Sequence, residues 1–114
     1  MANTFKLVTK AGVTSSDVIY TPDSVTTVIL GLILGNTTTS QVTATVSLAS
    51  STGSRAGDNN ENNQTVELIT NTPIPAGSSL ELLSGDKVVL EDNDALSVSA
   101  SGSTDVALSI MEIS

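Results

Sequence analysis

Residues 73–100 read Pro-Ile-Pro-Ala-Gly-Ser-Ser-Leu-Glu-Leu-Leu-Ser-Gly-Asp-Lys-Val-Val-Leu-Glu-Asp-Asn-Asp-Ala-Leu-Ser-Val-Ser-Ala. Short apolar runs alternate here with turn chemistry: Pro73 and Pro75 fix φ, Gly77 and Gly85 admit turn conformations, and the acidic-amide residues 91–94 close a corner. Between these breaks Leu80 and Leu82 flank Glu81, Val88 and Leu90 follow Gly85-Asp86, and Leu96, Val98 and Ala100 alternate with Ser97 and Ser99. The spacing predicts three short strands folded back on one another. Such a stretch is a scaffold, with no catalytic pattern in it.

The same period-2 signal extends outward on both sides. Downstream, after Ser101-Gly102-Ser103, residues 105–113 place Val106, Leu108 and Ile110 on one face, with Met111 and Ile113 leaving an apolar end on the other. Upstream, residues 65–70 resume strand character until Asn71-Thr72-Pro73 breaks it. Residues 41–48 alternate most cleanly: Val42, Ala44, Val46 and Leu48 oppose Gln41, Thr43, Thr45 and Ser47. Residues 24–34 differ, because from Val28 onward both faces are apolar, as in a strand covered on both sides by a neighbouring loop or a partner chain. Gly31 within that run predicts a bulge or a close backbone approach. Joined by the turn 35–39, these two segments are expected to form a hairpin.

Residues 1–23 hold extended runs at 4–10 and 17–21, separated by Ala11-Gly12 and ended by Pro22-Asp23. They are expected to lie along a sheet edge or to reach a neighbouring subunit, beside a body formed by residues 24–114 in one domain. About eight strands at this spacing, with no amphipathic helix period, predict an all-β antiparallel sandwich, jelly-roll or immunoglobulin-like.

Composition supports this reading. A chain of 114 residues is enough for one core burying roughly 65% of the unfolded surface. Phe5 and Tyr20 are the only rings, so the core must be aliphatic, which suits pleated strands. Thr and Ser exceed a quarter of the residues while Lys, Arg and Gln are scarce, which disfavours helix. The net charge is −8, and Lys6, Lys10, Arg55 and Lys87 are dispersed, which leaves no patch for phosphates; a nucleic-acid partner is not expected. The longest apolar run, residues 28–34, is too short to span a bilayer, and no basic segment followed by a long apolar run opens the chain, so neither a membrane partner nor a secretory signal is expected.

Without histidine or cysteine, the commonest nucleophile, general-base and thiolate arrangements are excluded, and no enzyme activity or cofactor is expected. Lys87 beside Asp86 reads as a charged turn rather than half of a Ser-Lys dyad. Glu91, Asp92 and Asp94 are hard oxygen ligands at close spacing, but they lack the glycine and distal glutamate of an EF-hand loop, so they read as turn-capping residues with only a weak claim to Ca²⁺. Residues 49–64 are mostly Ser, Thr, Gly, Asn and Asp around the sole arginine. At this length the segment is a solvated loop or a contact loop, with Arg55, Asp58, Asn59, Asn60 and Glu61 as the contact candidates. Asn36-Thr37-Thr38 and Asn63-Gln64-Thr65 match the glycosylation acceptor pattern, but without a secretory signal they read as chance. Candidates for a subunit interface are Val28, Leu30, Leu32, Ile33, Leu34, Met111 and Ile113.

Residues 26–47, Thr-Thr-Val-Ile-Leu-Gly-Leu-Ile-Leu-Gly-Asn-Thr-Thr-Thr-Ser-Gln-Val-Thr-Ala-Thr-Val-Ser, and again residues 74–100 resemble small virion structural proteins of tailed bacteriophages, particularly those of marine cyanobacterial phages. The pattern is Gly-Asn-Thr, then Ile-Pro-Ala-Gly-Ser-Ser-Leu-Glu-Leu-Leu, then Val-Leu-Glu-Asp-Asn-Asp-Ala-Leu-Ser-Val-Ser-Ala, and it covers most of residues 24–113. The resemblance implies a multicopy building block of the virion, made in the host cytoplasm and without catalysis. The expectation is a capsid-surface decoration or cement subunit acting as a homo-oligomer such as a trimer, with the major capsid protein among its partners. Alternatives are a collar, tail or fibre-associated subunit, and a host-surface or carbohydrate binding module using the loop within 50–63. Against the last stands the shortage of aromatic platforms.

Overall fold

The computed structural model describes residues 3–51, 64–83, 85 and 87–114. Among these, nine strands form: β1 (Asn3–Val13), β2 (Ser16–Tyr20), β3 (Thr26–Asn36), β4 (Val42–Ala49), β5 (Thr65–Ile74), β6 (Ser79–Leu82), β7 (Val88–Leu90), β8 (Ala95–Ala100) and β9 (Thr104–Ile113). One sheet runs β1-β9-β3, with β6 and β7 sharing the far side of β3; the other runs β2-β8-β4-β5. Every pairing is antiparallel. With β6 and β7 counted as one interrupted strand, two four-stranded sheets remain. The chain crosses between them at every connection but β4 to β5. This is the jelly-roll alternative, the doubled Greek key, and not the immunoglobulin order.

The cleanest alternations line the space between the sheets. Val42, Ala44 and Val46 of β4, Leu96, Val98 and Ala100 of β8, and Val106, Leu108 and Ile110 of β9 are all buried, joined by Val13, Ile29, Leu32, Leu34, Ile74 and Leu90. The core is wholly aliphatic, as a chain with two rings requires.

Two expected pairings are corrected. β3 and β4 do not form a hairpin; they lie in different sheets, and residues 37–41 carry the chain over the sandwich corner. The side chain of Asn36 holds that corner. It is buried, its Nδ2 donates to the carbonyls of Ser40, Ile74 and Pro75 at 2.8, 2.9 and 3.1 Å, and its Oδ1 accepts from the Thr38 amide and hydroxyl. Likewise β6, β7 and β8 are not folded on one another: β6 and β7 extend β3, while β8 sits between β2 and β4. The predicted turns do form, with φ of 68° at Gly77 and 88° at Gly85. β5 continues through Asn71-Thr72-Pro73 to Ile74, since a proline is tolerated on an edge strand whose N–H side faces outward.

The predicted irregularity at Gly31 is present. Against β9, Ile29 pairs with Ile110 and Gly31 with Ser109, so Leu30 is an extra residue in the ladder. The insertion shifts the alternation by one. Thr27 and Ile29 point inward before it, and Leu32, Leu34 and Asn36 after it. The interface candidates Leu32 and Leu34 are therefore core residues, 1% and 0% exposed. The bulge also lies opposite the interruption of the neighbouring strand, because β7 pairs with residues 27–29 and β6 with residues 32–35. Residues 3–23 lie along the edges of both sheets, β1 on β9 and β2 on β8.

Candidate interaction surface

With Thr27, Ile29, Leu32, Ile110 and Leu108 turned inward, the register places their alternates on the outer face of the β1-β9-β3-β6/β7 sheet. Phe5 pairs with Met111, Met111 with Val28, and Val28 with Val89, which forms one apolar row across four strands. Phe5 is 71% exposed and Val89 56%. The next row is Leu7, Ser109 and Gly31, and the one after it Thr9, Ala107, Ile33 and Glu81. Leu7 is 66% and Ile33 45% exposed, while Val28, Leu30, Met111 and Ile113 are half-buried. Of the interface candidates, these five remain on this outer side; Phe5, Leu7 and Val89 join them. The predictive signal for the latter three was present, since each is an apolar residue whose strand neighbours pair with core positions, but it needed the pairing register.

Small side chains at the middle of this face leave a groove of about 280 Å³, floored by Gly31, Ala107 and Ser109 and rimmed by Leu7, Leu30 and Ile33. A Cβ added at Gly31 meets no atom within 4 Å. A second depression of about 340 Å³ continues past Ile33 and Ala107 toward Gly35 and Lys10. Their polar lining is Glu81 and Ser109 in the first and Thr9, Lys10 and Asp105 in the second.

The opposite outer face, on β2-β8-β4-β5, has Ser16, Ser97, Ser99, Thr43, Thr45 and Ser47 at the corresponding positions, with Val18 exposed among them; Val66 and Leu68 are the exposed apolar residues of the edge strand β5.

The principal polar cluster joins the two sheets at one end. Tyr20 on β2 donates its hydroxyl to Glu112 Oε2 at 2.5 Å, and Lys6 Nζ stands 2.7 Å from Glu112 Oε1. The single phenolic proton is thereby used, so the buried Thr27 hydroxyl donates to the Tyr20 oxygen at 2.7 Å. Burial, reinforced by the bond to Glu112, pushes the Tyr20 hydroxyl up to about 12. The bond from Lys6, then that from Tyr20, holds the Glu112 carboxyl below its usual value. Every group here is matched, so the cluster is a clasp between sheets and not a reactive centre.

The carboxylates of residues 91–94 do not converge. Asp94 is buried, accepting from the amides of Ser51 and Glu91 at 3.0 and 2.9 Å, and Asp92 Oδ1 accepts from the Ser24 amide at 2.8 Å. Glu91, Asp92 and Asp94 thus sit at a backbone-capped corner, and no group of three acidic side chains with metal-binding geometry occurs among the described residues. Asn36 of the first glycosylation pattern is buried with its amide engaged. The contact-loop candidates Arg55, Asp58, Asn59, Asn60 and Glu61, with Asn63 of the second pattern, lie outside the described residues.

No protein-family model matches this chain, and no curated protein matches it. Among solved structures it is distantly similar to one described as "Bacillus endospore appendages form a novel family of disulfide-linked pili", at 13% sequence identity and a TM-score of 0.43, over 96% of this chain and 85% of that one. The disulfides of that description have no counterpart in a chain without cysteine.

Proposed function

We propose that this chain is a non-catalytic structural subunit of a tailed-phage particle, a capsid-surface decoration or cement protein whose copies meet through the outer face of the β1-β9-β3-β6/β7 sheet. The observation that carries the reading is the registered apolar row Phe5, Met111, Val28 and Val89 on an outward-facing surface of an otherwise acidic, hydroxyl-rich sandwich. Apolar residues scattered singly need no explanation, but a row continuous over four strands is the feature expected of a contact surface. The resemblance of residues 26–47 and 74–100 to small virion proteins supplies the particle, and the absence of histidine and cysteine from the sequence agrees with a role that performs no chemistry.

The test is immunogold electron microscopy on density-purified phage particles from the source lysate, using antibody raised against the purified chain. Regular labelling over the head is the expected result. Labelling confined to neck, tail or fibres would move the subunit to a collar or tail position, and unlabelled particles would sink the virion assignment.

A further inference from the structure

The outer face read above as the contact between copies is self-complementary about its middle strand, and the following inference rests on that reading. β9 lies between β1 and β3, and three successive rows cross it: Phe5, Met111, Val28; Leu7, Ser109, Gly31; Thr9, Ala107, Ile33. A two-fold axis lying along β9 in the plane between two copies exchanges β1 with β3 and sets each row against itself. In the middle row Leu7 of one copy then stands over Gly31 of the other, and the reverse. In the third row Ile33 stands over Thr9, and in the first Met111 meets Met111. The largest exposed projection of the middle row faces its only missing side chain. Gly31 is the floor of the 280 Å³ groove, and Leu7 is 66% exposed beside it.

We infer that the chain forms an isologous dimer in which the two β1-β9-β3 faces pack with aligned strands and Leu7 of each copy fills the Gly31 groove of the other. A contact of this symmetry requires only that one patch match itself, the commonest arrangement among homo-oligomers. Sheets packed face to face with strands within about 30° are a standard sandwich geometry. The area is that of a small interface, in keeping with modest affinity. β1, β3 and β9 are 11, 11 and 10 residues long. At about 3.3 Å per residue and about 4.8 Å between strands, the three strands that overlap cover roughly 500 Å² in projection, before side-chain relief is added. A standard interface takes about 800 Å² per partner. Charge supplies a signature: each copy carries −8, and Asp105, outward on β9 at one end of the face, lies near the axis and so near its own counterpart. Added salt screens that repulsion and tightens the dimer.

Sedimentation equilibrium on the purified chain and three variants tests this. Wild type is expected to be a monomer–dimer mixture with a Kd of roughly micromolar order, falling as NaCl is raised. Gly31→Leu places a side chain where open space now lies, and Leu7→Ala removes the projection; each is expected to weaken association about tenfold or more. Leu7→Ala combined with Gly31→Leu exchanges large for small across the interface and should recover part of the loss. A monomer persisting to about 1 mM, a closed trimer, or a Gly31→Leu variant that associates like wild type would overturn the inference. If Gly31→Leu loses the native circular dichroism spectrum, Leu7→Ala, an exposed edge-strand change, carries the test: unaltered association would overturn it. Particle labelling is read separately, so a monomeric chain that still decorates heads removes the dimer while leaving the virion reading intact.

Discussion

Ser47 pairs with Ser97, and Ser97 with Val18, across the outer face of the β2-β8-β4-β5 sheet; Val28 pairs with Met111, and Met111 with Phe5, across the other. The two faces share antiparallel pairing and an aliphatic layer beneath, and across their central strands they differ in what alternate residues present to water, Val66 and Leu68 on the edge strand β5 being exposed apolar residues of the hydroxylic sheet. Hydroxyls keep their hydrogen bonds to solvent at no cost. Apolar groups exposed to it forgo about 25 cal/mol for each Å² that a partner would cover. The difference shows that inward alternation builds the sandwich, while outward alternation is free to be spent on assembly or on solubility.

The largest effect is expected from making the two faces alike. Val28→Thr, Met111→Thr and Val89→Thr together should weaken self-association about 100-fold or more, a change of about 3 kcal/mol, while leaving the thermal midpoint within a few degrees. A collapse of the fold alongside association would show that these residues belong to the core. Next comes the corner that holds the two sheets in common. Asn36→Ala leaves the buried Ile74 carbonyl without its donor and should cost about 2–3 kcal/mol in urea unfolding, with association lost only in proportion to unfolding. The reverse conversion is smaller: Ser47→Val with Ser97→Val extends Val18 into a three-strand apolar row and should alter stability by less than about 1 kcal/mol while adding a second, concentration-dependent association visible by light scattering.

A comparably small effect concerns the clasp at the end of both sheets. Tyr20→Phe removes the bond to Glu112 and should cost about 1 kcal/mol at neutral pH. The hydroxyl is raised from 10.0 to about 12 on folding, so the unfolded chain ionises first. The contribution of this group is therefore constant below pH 10 and is lost as pH rises toward 12, a loss Tyr20→Phe should abolish. Glu112 shifts the other way. Its contribution is complete above the unfolded value of 4.5 and disappears as pH falls through the lower folded value, so Glu112→Gln should flatten the acid limb of the stability curve.

Much of the inner layer was legible as period-2 alternation. Val42, Ala44 and Val46, Leu96 and Val98, and Val106, Leu108 and Ile110 all read inward from residue type alone, because one face of each strand is plainly apolar. Pairing partners were not legible. Residues 35–39 carry the chemistry of a hairpin turn, yet Asn36 uses its side chain to satisfy carbonyls 38 and 39 residues away, a choice no local window contains. The run 28–34 was correctly read as apolar on both faces, but the phase change at Leu30 sent Leu32 and Leu34 inward, and only the ladder with β9 reveals which residue is the inserted one. Phe5, Leu7 and Val89 were missed as surface residues for the same reason: their orientation follows from registers that alternation does not specify.

The interruption between β6 and β7 bears on where growth of an assembly stops. That margin offers four residues and then three, set three out of register against β3 across its bulge, so no incoming strand finds an unbroken row of donors and acceptors. β5 presents Pro73 and two register shifts, β2 is five residues with one shift, and β1 carries Lys6 and Lys10. Lateral addition of copies is thus discouraged at every margin, which leaves the broad outer face for the association proposed above. Association through that face alone would end in a finite, countable complex at concentrations where a sandwich with open margins would run on into fibres.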